Sequence, residues 1–200
     1  MKVASSSGRT RVVIAEDEAI IRLDLAELLA EEGYEVVGQT GRGDEAVELV
    51  RSLAPDLAIL DIKMPGLDGL SAARQIASDR LAAVLILTAF SQRELVEQAR
   101  EAGAIGYLVK PFQKSDLIPA VELAIGRHQE MRSLEQEIGD LTERLEARKV
   151  IDRAKGVLMD RHGLGEQDAW RFLQTEAMNR RTKVHQVAEL VVAGELTPPA

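Results

Sequence analysis

The chain has 200 residues, 46% hydrophobic and 29% charged, with a net charge of −8 and no cysteine. That balance suits a soluble globular protein. It excludes disulfides, thiolate metal sites and thiol catalysis. No apolar run approaches the roughly 20 residues that span a bilayer. The segment 1–9 lacks the apolar centre of a signal peptide and reads as a flexible lead-in, so a cytoplasmic location is expected.

Short apolar, β-branched runs recur at 11–15, 35–38, 57–60, 83–87 and 105–109. Amphipathic stretches lie between and after them, at 20–32, 44–53, 70–78, 92–102 and 115–127. Gly33, Gly43, Gly69 and Gly103 punctuate the ends. Alternating strand and helix with short connections predicts a doubly wound, five-stranded parallel α/β sheet. The runs are almost wholly apolar, as expected for strands covered on both faces. Four of them end in polar groups: Glu16-Asp17, Asp61, Thr88 and Lys110-Pro111. Ligands of open α/β sheets bind outside the carboxyl ends of the strands. Three carboxylates, a hydroxyl and an ammonium at that edge suit a divalent cation and a phosphoryl group.

From Ser115 no strong breaker follows until Gly163, apart from Pro119 and isolated glycines. Met131, Leu134, Ile138, Leu141 and Leu145 are spaced 3-4-3-4, a short heptad-like stripe. It reads either as a dimer seam or as a face packed within the chain. Helical patterns follow at 150–161, 166–180 and 183–193, enough for a small three-helix bundle. Trp170 reads as part of its core. The segment 148–183 carries nine Lys/Arg against five Asp/Glu, or +4, which leaves −12 on the remainder. Such a segment is suited to an anion, or is an ordinary solvated surface. Boundaries are expected at 10–127, 128–147 and 148–194, with a frayed tail over 195–200.

The acidic pair, Asp61, the Met64-Pro65-Gly66-Leu67-Asp68-Gly69 turn, Thr88-Ala89 and Lys110-Pro111 resemble, in order and spacing, the receiver domain of two-component response regulators. The resemblance covers about residues 10–127 and implies roles. Asp61 would be the phosphoacceptor, attacking phosphorus as a carboxylate nucleophile, with a sensor histidine kinase as donor. Asp17, Asp61 and the Lys63 carbonyl would ligate Mg²⁺, and Glu16 would act through water. Lys110 would hold a phosphoryl oxygen after a cis peptide to Pro111, while Thr88 and Tyr107 would move together as a switch. Two departures stand out: Glu16 occupies a usual aspartate position, and Lys63 a frequent asparagine position. A haloacid-dehalogenase-type phosphatase would need a carboxylate where Lys63 stands. A flavodoxin would need a Ser/Thr-rich loop where Glu16-Asp17-Glu18 stands.

The second half, with Ala154-Lys155-Gly156-Val157-Leu158-Met159, Ala169-Trp170, Ala177-Met178 and Val187-Ala188, resembles the ANTAR output domain over about 134–194. That implies binding of RNA hairpins and transcription antitermination. Candidate RNA contacts are Arg148, Lys149, Arg153, Lys155, Arg180, Arg181 and Lys183, with Arg161 also available. A protein-binding adaptor is the alternative function, and DNA binding through a helix-turn-helix is a weaker third. A homodimer promoted by phosphorylation is expected.

Overall fold

A computed structural model describes residues 8–89 and 92–198. Residues 1–7 of the expected lead-in and 199–200 of the expected tail lie outside the described residues. The chain divides into two compact units, Met1–Arg132 and Ser133–Ala200.

The first unit alternates β1 (Arg11–Ala15), α1 (Ala19–Glu31), β2 (Glu35–Thr40), α2 (Gly43–Leu53), β3 (Leu57–Asp61), α3 (Gly69–Ser78), β4 (Ala83–Thr88), α4 (Arg93–Glu101) and β5 (Gly106–Val109). It ends in the start of α5 (Lys114–His162). The strands form one parallel sheet in the order β2-β1-β3-β4-β5. The expected architecture is thus present. β2 continues to Thr40 and β4 to Thr88, beyond the apolar runs, because backbone pairing does not stop where hydrophobicity does.

Strand alternation divides the core into two layers. Val13, Ala15, Ala58, Leu60, Val84 and Ile86 point to one face and pack with buried residues of α2, α3 and α4. Val12, Ile14, Leu57, Ile59, Leu85 and Leu87 point to the other and pack with Leu25 and Leu29 of α1 and Leu117 and Val121 of α5. Burying each large side chain stabilises the fold by about 1.5–3 kcal/mol before entropy is charged against it.

Two glycines shape the turn after β3. Gly66 has φ +76°, and a Cβ there would lie 2.5 Å from Asp44 Oδ1. A Cβ on Gly69 would lie 1.8 Å from the Asp61 carbonyl oxygen. Asp68 then caps α3, accepting from the Ser71 N–H at 2.9 Å and the Ser71 hydroxyl at 2.7 Å.

Helix α5 runs unbroken for 49 residues. The stretches 115–127 and 150–161, and the linker expected between them, belong to this one element. Gly126, Gly139 and Gly156 each cost about 1 kcal/mol relative to alanine but keep helical backbone. Pro119 is in the second turn of α5, where its ring removes the N–H that would reach the Ser115 carbonyl.

In the second unit, α5 packs with α6 (Glu166–Arg180) and α7 (Val184–Ala193). Ala154, Leu158, Ala169, Leu173, Ala177, Val187, Ala188 and Val191 form its buried core. Trp170 corrects an expectation: it is 38% exposed rather than buried in the bundle. Ala169, Leu173 and Ala177 set the phase of the inward stripe, and Trp170 falls on its margin. No described helix is long and apolar enough to cross a membrane.

Candidate functional site

Strand register brings the polar residues together. Ala15 pairs with Leu60, so Glu16 and Asp61, one step further, stand side by side. Asp61 pairs with Leu87 and Thr88 with Val109, which puts Thr88 and Lys110 at the same edge. The Lys110 N–H donates to the Thr88 carbonyl at 2.7 Å, and the Lys110-Pro111 peptide is cis.

Glu16, Asp17 and Asp61 each offer a carboxylate oxygen, all within 4.8 Å of one another. Glu16 is fully buried, Asp61 is 6% exposed, and Asp17 faces solvent. The Lys110 ammonium lies 2.5 Å from Glu16 Oε2 and 3.4 Å from Asp61 Oδ1. Burial pushes the Glu16 carboxyl above its ordinary range; Lys110 opposes this and the Asp61 charge reinforces it. Asp61 is raised as well, again by burial first, with Lys110 opposing and Asp17 adding. One ammonium does not balance three carboxylates, and two of these are cut off from water. A compact divalent cation with a preference for carboxylate oxygens meets that deficit. The donor set therefore fits Mg²⁺.

Thr88 is fully buried at the end of β4. Tyr107 is half-buried in β5 and packs against the layer beneath α2, α3 and α4. Lys63 is exposed in the β3–α3 turn. Arg22 is a residue that sequence reasoning missed: its guanidinium donates to the Glu16 carbonyl oxygen and tethers the acidic loop to α1. Nothing in the pattern of α1 marks it, because the contact depends on how the helix returns to the strand end.

The basic candidates of the second unit differ in their surroundings. Lys155 is held by Asp152 at 3.1 Å and Glu166 at 3.0 Å, and its side chain is 20% exposed. Arg148 faces Asp152 at 4.0 Å, Lys149 Glu146 at 2.8 Å, Arg180 Glu176 at 3.1 Å and Lys183 Glu143 at 3.6 Å. Among the described residues, Arg153, Arg161 and Arg181 are exposed cations outside any ion pair.

Comparison with known proteins agrees with both halves. The model of the response regulator receiver domain matches residues 12–122, and that of the ANTAR domain matches residues 139–192. The transcriptional regulatory protein PdtaR of Mycobacterium tuberculosis is 58% identical over 188 residues, 94% of this chain and 92% of the relative. The receiver domain of the response regulator NarL from M. tuberculosis superposes with a TM-score of 0.57 at 32% identity, covering 59% of this chain and 97% of that one. CheY of Borrelia burgdorferi, solved as a CheX-CheY-BeF3-Mg²⁺ complex, gives a TM-score of 0.54 at 27% identity over 56% of this chain and 85% of that one. The parallel sheet, the acidic edge closed by Lys110 and these matches place the chain among the response regulators, with a receiver domain followed by an ANTAR domain.

Proposed function

We propose that the chain is a phosphorylation-switched, RNA-binding antiterminator in which Asp61 accepts phosphate from a sensor histidine kinase. The observation that carries this reading is the edge of the sheet. Asp61 clusters with Glu16 and Asp17, with the Lys110 ammonium 3.4 Å away, in a chain that continues into an ANTAR domain. The transcriptional role in the name of PdtaR supports the output assignment.

A carboxylate oxygen of Asp61 forms a bond to phosphorus as the phosphorus–nitrogen bond to the donor imidazole breaks. Lys110 exchanges its contact with the carboxylates for a phosphoryl oxygen, acting as a point charge. Asp17, Asp61 and the Lys63 carbonyl would hold Mg²⁺, with Glu16 acting through water. Bound Mg²⁺ supplies neutralisation of the charge that gathers during phosphoryl transfer. The metal in the CheY complex supports that assignment. Thr88 and Tyr107 then respond to the phosphoryl group and bias the surface of the receiver.

The receiver role belongs to 10–127, a transmitting segment to 128–147 and RNA binding to 148–194. The stripe from Met131 to Leu145, whose five apolar members are all more than half exposed, joins two copies once phosphate is bound. The setting is cytoplasmic, where a kinase and nascent transcripts meet.

Phosphorylation with labelled acetyl phosphate tests the reading. Wild type should take label in Mg²⁺ and lose that ability in EDTA, and Asp61→Asn should take none. Equal label on both proteins removes Asp61 from its role. Wild type that prefers duplex DNA to structured RNA, or binds neither, replaces the antiterminator with the DNA-binding or adaptor reading.

A further inference from the structure

Helix α6 has an outer face that its bundle does not use. At about 100° per residue, Gln167, Trp170, Arg171, Gln174 and Met178 fall within about one third of the helix circumference. Ala169, Leu173 and Ala177 occupy the adjoining, buried side, with Ala177 only about 20° from Trp170. Trp170 is 38% exposed and Met178 79% exposed. All three carboxylates of α6, Glu166, Asp168 and Glu176, lie outside this arc. Asp168 reaches one member, Arg171, in an exposed pair at 3.3 Å. The face ends at Arg181, which caps the helix in the left-handed region at φ 53°.

This composition differs from that of the exposed apolar stripe on α5. The Met131–Leu145 stripe is wholly aliphatic or thioether and has the spacing of a helix–helix seam. On α6 an indole and a thioether alternate with primary amides and guanidinium groups. A flat aromatic, amide donors and acceptors, and cations without carboxylates between them are what splayed RNA bases require. Unpaired bases stack on aromatic rings and are read at their edges by hydrogen bonds.

We propose that the outer face of α6 reads the unpaired loop bases of an RNA hairpin. Trp170 is the stacking platform, Met178 packs beside the stacked base, Gln174 bonds a base edge, and Arg171 and Arg181 meet the adjoining phosphates. This rests on the RNA-binding reading of the second unit and adds where, and by what chemistry, sequence is read.

Trp170 is the single tryptophan of the chain, so its emission reports this face alone. The test uses the full chain with acetyl phosphate and Mg²⁺, against synthetic stem-loops with one fixed stem and randomised loop bases. The loop enriched by selection is then compared with an uninterrupted duplex of the same stem. The loop RNA should quench the tryptophan emission and the duplex should not. Trp170→Ala should weaken loop binding ~5- to 150-fold, the span of base–aromatic stacking, and leave duplex binding within about twofold. Trp170→Phe should restore most of the loss. Met178→Ala and Gln174→Ala, at exposed positions that carry no core packing, should each weaken the loop selectively and so cover the case in which Trp170→Ala misfolds. If wild type selects no RNA, this inference falls together with the antiterminator reading. If wild type binds the loop but its emission is unmoved and the variants keep full affinity, the α6 face is not the reader, while the antiterminator reading survives. Emission that follows protein concentration instead of RNA would make the face a protein contact and overturn the inference.

Discussion

Asp61→Asn should stabilise the metal-free protein. The substitution keeps the shape of the side chain and removes its charge. With an effective dielectric of about 20, an ion pair at 3.4 Å is worth ~5 kcal/mol and a like-charge pair no further apart than 4.8 Å costs at least ~3.5 kcal/mol. The attraction of Lys110 for Asp61 is therefore largely offset by Glu16, before the more solvated Asp17 is added. What remains is the cost of burying a charge that its surroundings only partly satisfy, on the order of 1–3 kcal/mol. Asparagine removes that cost and leaves Lys110 to Glu16. At about 2–4 °C per kcal/mol, the midpoint of thermal unfolding should rise by several degrees. The sign with pH follows from the raised carboxyl of Asp61. Such a group contributes stability that is fully present below its unfolded value near 4 and lost as pH rises through the folded value. The advantage of the variant should thus be absent in acid and reach a plateau toward neutrality. Mg²⁺ should reverse the order, because a ligand at 100 times its Kd adds ~2.7 kcal/mol to the state that binds it, and the variant binds it less well. Circular dichroism melts from pH 4 to 8, with and without Mg²⁺, give all three readings. A variant less stable than wild type at neutral pH without metal would refute the reasoning.

Three further outcomes are expected. Gly69→Ala places a methyl group on the Asp61 carbonyl, 1.8 Å away, and should both lower the melting temperature and slow labelling of Asp61; unchanged labelling would show that the turn yields freely. Tyr34 is pushed up to about 12 by burial and by its hydrogen bond to Glu122, so in an absorbance titration one of the two tyrosines should ionise late. Its stabilisation is held below pH 10 and lost between 10 and 12, and both features should vanish in Tyr34→Phe. Ile138→Glu with Leu141→Glu should abolish phosphorylation-promoted dimers in sedimentation without loss of helical signal, because both side chains are more than half exposed.

Sequence order revealed the receiver site because each strand is a buried apolar run whose end is marked by the first polar residue. Glu16, Asp61, Thr88 and Lys110 could be aligned once a parallel sheet was inferred, and register did the rest. The short contact between Lys110 and Glu16 was not legible. It depends on the extra methylene of glutamate and on the direction in which Lys110 leaves β5, and neither is a pattern. Trp170 was misplaced for a related reason. Apolarity suggests burial, but a helix buries only the arc that its phase turns inward. The small residues Ala169 and Ala177, which carry little hydrophobic signal, define that arc here. The tether from Arg22 to the Glu16 carbonyl is equally invisible, since it joins a side chain to backbone.

The same distinction between composition and geometry governs the basic half. The segment 148–183 sums to +4, but a cation 3 Å from a carboxylate presents a dipole to a distant phosphate, and the field of a dipole decays faster than that of a charge. Arg153, Arg161 and Arg181, outside any ion pair among the described residues, would therefore dominate the long-range attraction for RNA in the proposed function. In the proposed RNA complex Arg148, Lys149, Arg180 and Lys183 would act at contact, by exchanging a carboxylate for a phosphate. Exposed pairs contribute only about 0.2–1 kcal/mol, so that exchange costs little. Lys155 stands apart: from a largely covered position it bridges Asp152 on α5 and Glu166 on α6, so its departure would remove a link between the two helices. Its removal is expected to act on the bundle before it acts on RNA. Counterion release scales with phosphates neutralised, at about 0.7 log unit per phosphate on single strands. The slope of affinity against salt thus counts the cations that geometry leaves available, and it must fall short of the nine that the segment contains.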